Sequence, residues 1–292
     1  MKQGKTYGNA WLYKALIWLL RHVNIRILYV FQKVCVIPFT LLSKGYKITY
    51  RYYHDKCGQG QRQALLSSYR NNSLFGQTVV DKFAMYAGHH FVVRYNGEEQ
   101  YREMTRKPQA LMQLSAHIGC SEILGYSYNN SKPCNVLVYG GENPAMMEYR
   151  KQAFGNKDIR MIPVATEGSH SEEIISALDR GEIVCAFADR FMNEKKYLVS
   201  KIHGHEVKLA RGPFSMAVTR GLDVVMANAM KEPDGSYTAF FTPLHYDRTL
   251  TPKAQRQQLA DAYCTEIERL LTLYPTQWFN YSDIWLKGQN DK

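Results

Sequence analysis

The 292-residue sequence lacks several features that would define its class directly. No uninterrupted apolar run reaches the roughly 18 residues that mark a membrane-spanning helix, which excludes a polytopic membrane protein. The six cysteines form no CxxC pair, so we expect reduced thiols in a cytoplasmic compartment and no zinc site or disulfide framework. Neither GxxxxGK(S/T) nor a strand-linked GxGxxG is present. No metal ion and no cofactor are therefore expected.

Acidic residues are almost absent from the first 56 positions. Ten lysines and arginines lie there beside one acid, Asp55, so this segment carries a net charge of +9, whereas the remaining 236 residues carry +2. Large apolar residues separate the basic ones, as in the stretch from Trp11 to Arg21. This mixture favours an anionic membrane surface and argues against nucleic acid, since a phosphate-binding arm gains nothing from exposed Leu, Ile and Trp. Residues 9–43 are predicted to form a helical hairpin or a tilted membrane anchor, although ordinary helices packed on a core would also fit.

The rest of the chain alternates short apolar strands with helical stretches. Strands are predicted at 91–95, 110–115, 136–139, 160–164, 183–188, 224–230 and 237–242, and helices at 59–90, 122–128, 145–154, 171–178, 214–220 and 252–273. This alternation predicts an α/β fold with a mostly parallel central sheet flanked by helices. We therefore predict a basic amphipathic membrane-associated segment at 1–56 and a single α/β domain at 57–292.

One stretch combines residues that are suited to acid–base chemistry. The apolar strand that ends at Ser115 is followed by His117, by a turn of small residues and by a helix that contains Glu122. Ligands of parallel sheets bind at the carboxyl ends of strands, and a histidine at that place can act as a general base at neutral pH. Glu122 would accept the other ring N–H and so orient the imidazole. A histidine and a glutamate at this distance also occur together by chance, so the pair alone leaves a structural role open.

The same pair has the spacing of a known motif. His117-x4-Glu122 after a strand resembles the HX4(D/E) motif of the bacterial late lipid A acyltransferases, the lauroyl and myristoyl transferases of lipopolysaccharide synthesis. Three further stretches are similar to patterns of that family and follow in the same order, at 178–189, 204–225 and 275–281. The basic, apolar N-terminus is similar to the membrane anchor of the family. The resemblance covers roughly residues 10–285.

The resemblance implies a glycerolipid-acyltransferase-like fold and a defined reaction. A fatty acyl chain would move from acyl carrier protein, or coenzyme A, to a hydroxyl of a membrane glycolipid such as a lipid A precursor. The enzyme would lie at the cytoplasmic face of the inner membrane. His117 would be the catalytic base and Glu122 its orienting partner, and the amides of the turn between them would stabilise the oxyanion. An acidic carrier protein would also be attracted to the basic surface.

Substrate-binding roles are implied for three further residues. The family carries a functional arginine between the catalytic motif and a later aspartate, and Arg150 is the first match for it and Arg160 the second. A guanidinium binds phosphate bidentately, which suits a phosphate of the acceptor or of phosphopantetheine. Asp189, at the end of a predicted strand, would hold an arginine or the acceptor hydroxyl, although a residue that caps the next segment would also fit. Trp278 and the aromatic residues near it are interpreted as packing residues.

Some positions differ from the family pattern and leave other interpretations open. A phenylalanine before Gly204, a proline near residue 227 and a second tryptophan near residue 280 are missing. These differences leave room for an acceptor other than a lipid A precursor, for example an aminolipid. A second interpretation is a lipid ester or thioester hydrolase that uses Cys120 or Ser121 with His117. A third is a non-catalytic membrane adaptor.

Overall fold

The structure is a computed structural model, and it describes residues 10–140, 144–155, 157–164, 170–190 and 196–286. The helices are α1 (Ala10–His22), α2 (Ile25–Leu42), α3 (Lys44–Arg51), α4 (Gln61–Tyr86), α5 (Glu98–Arg106), α6 (Glu122–Ser127), α7 (Pro144–Phe154), α8 (His170–Asp179), α9 (Arg211–Thr219) and α10 (Pro252–Leu273). The strands are β1 (Val93–Asn96), β2 (Leu111–Ser115), β3 (Cys134–Tyr139), β4 (Ile159–Val164), β5 (Ile183–Phe187), β6 (Tyr197–Ile202), β7 (His205–Ala210), β8 (Asp223–Lys231) and β9 (Tyr237–Leu244). The strands and helices predicted between residues 59 and 273 are confirmed, with small shifts at their ends.

Seven of these strands form one sheet in the order β1-β9-β8-β2-β5-β3-β4. Neighbouring strands run parallel everywhere except between β8 and β9, so the prediction of a mostly parallel sheet is confirmed. Every residue of β2 is buried, as expected for a central strand with helices on both faces. The two polar residues of β2 are hydrogen-bonded inside the core, Gln113 to the Tyr101 hydroxyl and Ser115 to the Ala227 carbonyl.

The long helix α10 shows how local sequence and packing agree. The Thr251 hydroxyl accepts a hydrogen bond from the amide of Ala254, and Pro252 occupies the first turn, where its missing N–H costs nothing. One face of the helix then buries residues in the main core, namely Leu259, Tyr263, Ile267 and Leu270.

Two parts of the α/β region were not predicted. Helix α5 begins after Gly97, which has a left-handed φ of +76°, and it buries only Tyr101 and Thr105. A helix of nine mostly polar residues offers few apolar positions from which it could be predicted. The antiparallel hairpin of β6 and β7 is the second omission. Its strands pair outside the main sheet, where mixed polar and apolar residues give no strong strand signal.

The two N-terminal helices pack on α4 along one face. They contribute to a small core cluster whose buried members are Ile17, Leu20, Leu28, Phe83 and Ala84. The predicted pair of helices is therefore present, but its membrane association stays a prediction. In the part of the chain that the structure describes, no helix is both long enough and apolar enough to cross a bilayer. The basic residues Lys2 and Lys5 lie outside the described residues.

Candidate active site

The register of two central strands brings the candidate catalytic residues together. Strands β2 and β5 are parallel, and their last residues, Ser115 and Phe187, are partners in the ladder. His117 and Asp189 each follow two residues later, so the parallel register carries both to the same edge of the sheet. This is the carboxyl edge, where ligands of open α/β sheets bind.

The side chain of Asp189 orients the imidazole of His117. The ring Nδ1–H donates to Asp189 Oδ1 over 2.6 Å, and the backbone N–H of His117 donates to Oδ2 over 2.9 Å. A carboxylate only accepts hydrogen bonds, so Nδ1 carries the proton and Nε2 keeps its lone pair. The side chain of His117 is 27% exposed and that of Asp189 is fully buried. The geometry is that of a general base held in one tautomer.

The charge state of Asp189 suits this role. Burial by itself raises the pKa of the carboxyl, but the facing imidazole and the two His117 N–H donors outweigh burial, and the pKa is lowered. The carboxylate is therefore ionised at neutral pH. Its stabilising contribution is lost only as the pH falls through this lowered pKa.

The prediction that Glu122 orients His117 is wrong. Glu122 Oε1 instead accepts from Arg150 Nε and Nη2, over 3.1 and 2.8 Å, and lies 2.7 Å from Lys82 Nζ. The turn before it explains the difference. Gly119 has a φ of +64° and lies so close to the backbone of Ala229 that a Cβ would fall 2.0 Å from that carbonyl oxygen. The chain reverses at this glycine, so α6 presents Glu122 to α4 and α7.

The structure places the two candidate arginines differently. Arg150 is buried on α7, where it binds the Glu122 carboxylate and lines a cavity, and its predicted binding of a substrate phosphate stays a prediction. Arg160 is not part of the site. It pairs with Glu182 and lies beside Asn135 near the amino ends of β3 and β4, at the opposite edge of the sheet from His117.

A mostly apolar cavity of about 390 Å³ lies beside His117. His117, Glu122 and Arg150 line it near the carboxyl edge of the sheet. Its wall continues along the strands and α6 and α7 with mostly apolar residues, among them Val136, Phe154, Ile159, Met161 and Phe187. The candidate base and a cavity lined mostly by apolar side chains therefore lie side by side.

The structure bears on two predicted features of the turn. The amide of Gly119 donates to Gln277 O and that of Cys120 to Ala229 O, both over 2.8 Å, so neither amide is available to an oxyanion. The Cys120 thiol is buried, and burial raises its pKa to about 12. A thiolate nucleophile is therefore not formed at neutral pH. Ser121 does line the cavity.

Sequence reasoning missed residues that touch the catalytic pair. The indole of Trp278 donates to Asp189 Oδ2, and the side-chain amide of Asn280 donates to the Asp189 carbonyl. Lys82, on α4, is part of the cluster around Glu122. The segment 275–281 was matched to a family pattern, but nothing in its local sequence indicates a contact with residue 189.

Comparison with known proteins identifies a family and similar solved structures. A family model described as bacterial lipid A biosynthesis acyltransferase matches residues 80–287. The crystal structure of the 1-acyl-sn-glycerophosphate acyltransferase PlsC from Thermotoga maritima is similar, with a TM-score of 0.39 and 14% sequence identity, over 86% of this chain and 97% of that one. No individual curated protein matches the sequence.

Proposed function

The chain belongs to the bacterial lipid A biosynthesis acyltransferase family, and on that premise we propose how this acyltransferase works. It moves a fatty acyl chain from acyl carrier protein to a hydroxyl of a membrane glycolipid such as a lipid A precursor. His117 is the general base and Asp189 its orienting partner. The observation that carries the proposal is the hydrogen-bonded His117–Asp189 pair beside an apolar cavity.

The proposed reaction needs no nucleophile from the protein. His117 Nε2 takes the proton of the acceptor hydroxyl while its oxygen attacks the thioester carbonyl, which forms a tetrahedral oxyanion. The intermediate collapses to the new ester and expels the carrier thiolate, and the imidazolium returns the proton to that sulfur. Asp189 stabilises the imidazolium in between. General-base catalysis of this kind supplies about 10²–10⁴ of the rate.

The cavity is the proposed site of the acyl chain. Gln113, Ser115 and His117 alternate along one side of β2 and its continuation, and all three line the cavity. At the usual rise per strand residue, the distance from Gln113 to His117 is about 13 Å. A cavity of this length accommodates roughly ten carbons of an extended acyl chain. The hydrogen-bonded side chains of Tyr101, Gln113 and Asn130 lie toward the far end.

Filling this cavity should change the preferred chain length. Val136 lines the cavity wall on β3, and Val136→Phe adds bulk to a space that is open. We expect the optimum to move to shorter acyl chains, with at least a tenfold loss on the longest good substrate, because each buried CH₂ contributes about 0.8 kcal/mol and excluding about two of them accounts for a factor of ten. The measurement is the turnover of a series of acyl carrier protein thioesters. Ile175→Phe, an exposed position on α8, is the control, and an unchanged profile for Val136→Phe would refute this use of the cavity.

Arg150 and Lys82 are proposed to position Glu122. Burial raises the pKa of the Glu122 carboxyl, but Lys82 and Arg150 outweigh burial, and the pKa is lowered. An ionised Glu122 then joins α4, α6 and α7 at the wall of the cavity. Its second oxygen, Oε2, is buried without a hydrogen-bond partner among the described residues. We propose that Oε2 accepts a hydrogen bond from a donor group of the substrate.

The exposed face of α1 and α2 supports a proposed location at the cytoplasmic face of the inner membrane. Along α2 the exposed apolar residues recur at helical spacing, namely Ile27, Val30, Phe31, Val34 and Ile37. Basic residues are exposed next to them, including Arg26 and Lys33. An apolar stripe flanked by cations suits an anionic lipid surface.

Charging this stripe should weaken membrane binding. Phe31 is 68% exposed, so Phe31→Asp removes no core packing, yet it places a carboxylate where the lipid would lie. We expect at least a tenfold loss of affinity for vesicles that contain anionic lipid, since burying a phenylalanine is worth about 1.5–3 kcal/mol. Sedimentation with such vesicles measures the loss. Leu273→Asp, an exposed apolar position at the end of α10, is the matched control. Equal vesicle binding by the wild type, Phe31→Asp and Leu273→Asp would contradict a membrane-binding role of this face of α2.

The function itself is tested with purified protein, acyl carrier protein thioester and a bacterial glycolipid extract. We expect an acylated glycolipid, identified by mass spectrometry, and no covalent acyl-enzyme. An ester at a hydroxyl supports the proposal, whereas an amide would identify an aminolipid acceptor. Release of free fatty acid through an acyl-enzyme would support a hydrolase, and lipid binding without turnover would support an adaptor. A coenzyme A thioester in place of the carrier tests the donor.

A further inference from the structure

The segment that follows α10 runs across the catalytic turn. The amide of Gly119 donates to Gln277 O over 2.8 Å, and the amide of Phe279 donates to His117 O over 2.7 Å. These two bonds make an antiparallel bridge between Ile118 and Trp278. Residues 277–280, here called the C-terminal clamp, therefore hold the backbone that carries His117.

The same clamp holds the loop that carries Asp189. The indole Nε1–H of Trp278 donates to Asp189 Oδ2 over 3.1 Å. The side-chain amide of Asn280 donates to the Asp189 carbonyl over 2.7 Å, and Arg190 Nη2 donates to Phe279 O over 2.8 Å. One short segment thus bridges the ends of β2 and β5, on which the two catalytic partners lie.

We infer that Trp278 is a positioning residue that acts through Asp189. The inference rests on the proposed function, in which His117 is the base. Asp189 Oδ2 accepts two N–H groups, from the His117 backbone and from Trp278, while Oδ1 faces the imidazole. Of these three donors, the indole N–H is the one that does not belong to His117, so it fixes the carboxylate independently of the residue that the carboxylate orients. Without the indole N–H, His117 itself supplies both remaining bonds, and the carboxylate and the imidazole can shift together.

The surroundings of Trp278 separate this role from packing. Its ring meets Tyr52 edge-on with centroids 5.2 Å apart and Trp285 with centroids 6.2 Å apart. Those contacts need an aromatic ring but no donor. The side chain is 6% exposed, so its N–H requires a partner inside the protein, and that partner is the carboxylate. A phenylalanine would keep the ring contacts and remove only the donor.

The first test is Trp278→Phe in the acyl-transfer assay. We expect kcat to fall about 10- to 100-fold, the range for a hydrogen bond to a charged group, while KM for the acyl donor and the melting temperature change little. Trp285→Phe is the matched control, because it makes the same change in the same aromatic cluster away from the carboxylate. If Trp278→Phe does not fold, site-specific replacement of Trp278 by benzothienylalanine removes the N–H with the ring shape retained.

The second test asks whether Trp278 acts through Asp189. In an Asp189→Asn background, Trp278→Phe should cost no further activity, since residues that act as a unit are not additive. The NMR signal of the His117 Nδ1–H, observed with isotope-labelled histidine, should move upfield in Trp278→Phe and stay in place in Trp285→Phe. If Trp278 served only for packing, its replacement would lower activity equally in both backgrounds and would leave the Nδ1–H signal in place.

Other outcomes overturn the inference. Full kcat in the folded Trp278→Phe protein, an equal loss in both backgrounds, or equal losses in Trp278→Phe and Trp285→Phe would each do so. A failure of the proposed function looks different. In that case the wild type would not transfer acyl groups, or His117→Ala would retain turnover whatever happens at position 278.

Discussion

Replacement of His117 by alanine should lower the rate of acyl transfer by about 10²–10⁴-fold, the contribution of a general base. In the proposed mechanism the imidazole Nε2 takes the proton of the acceptor hydroxyl, and alanine has no group that could do so. The side chain of His117 is partly exposed toward the cavity, so its removal leaves the buried core intact. The measurement is the steady-state rate of ester formation with acyl carrier protein thioester and glycolipid.

The control for this substitution is His245→Ala. His245 is an exposed histidine after β9, so its replacement changes composition in the same way without touching the site. Both variants should melt at the wild-type temperature, and only His117→Ala should lose turnover. Near-normal transfer by His117→Ala would refute general-base catalysis by this residue.

The second large effect is expected at Asp189. Asp189→Asn keeps the size of the side chain but lets the amide N–H face Nδ1, which moves the ring proton to Nε2 and removes the charge that stabilises the imidazolium. We expect a loss of about 10²–10⁴-fold in kcat, with little change in KM for the acyl donor. Single-turnover rates of ester formation at neutral pH measure this loss.

Glu122→Gln distinguishes the role of the Glu122 carboxylate from that of Asp189. In the structure Glu122 binds Arg150 and Lys82, so its neutral analogue leaves two cations without their partner charge. The expected result is a lower melting temperature and a smaller kinetic loss than that of Asp189→Asn. The opposite ranking, with Asp189→Asn nearly normal and Glu122→Gln inactive, would show that the HX4(D/E) glutamate orients the histidine after all.

Local sequence patterns were sufficient for much of the fold. The central strand β2 and the long helix α10 bury many side chains, and that burial constrains which residues they contain. Helix α5 buries two residues, and the β6–β7 hairpin pairs outside the main sheet, so burial constrains their sequences less. The parallel sheet followed from the alternation of strands and helices.

Within the site, the sequence by itself was enough to place His117 at a strand end and to identify the family motifs. Both features are defined by residues that are neighbours along the chain. Only the tertiary structure decided which carboxylate meets the imidazole. Asp189 lies 72 positions from His117, and the β2–β5 register aligns them, whereas the turn at Gly119 directs the nearby Glu122 to Arg150. Strand register and the path of a turn arise from packing across the whole domain, so spacing along the chain could not reveal these partners.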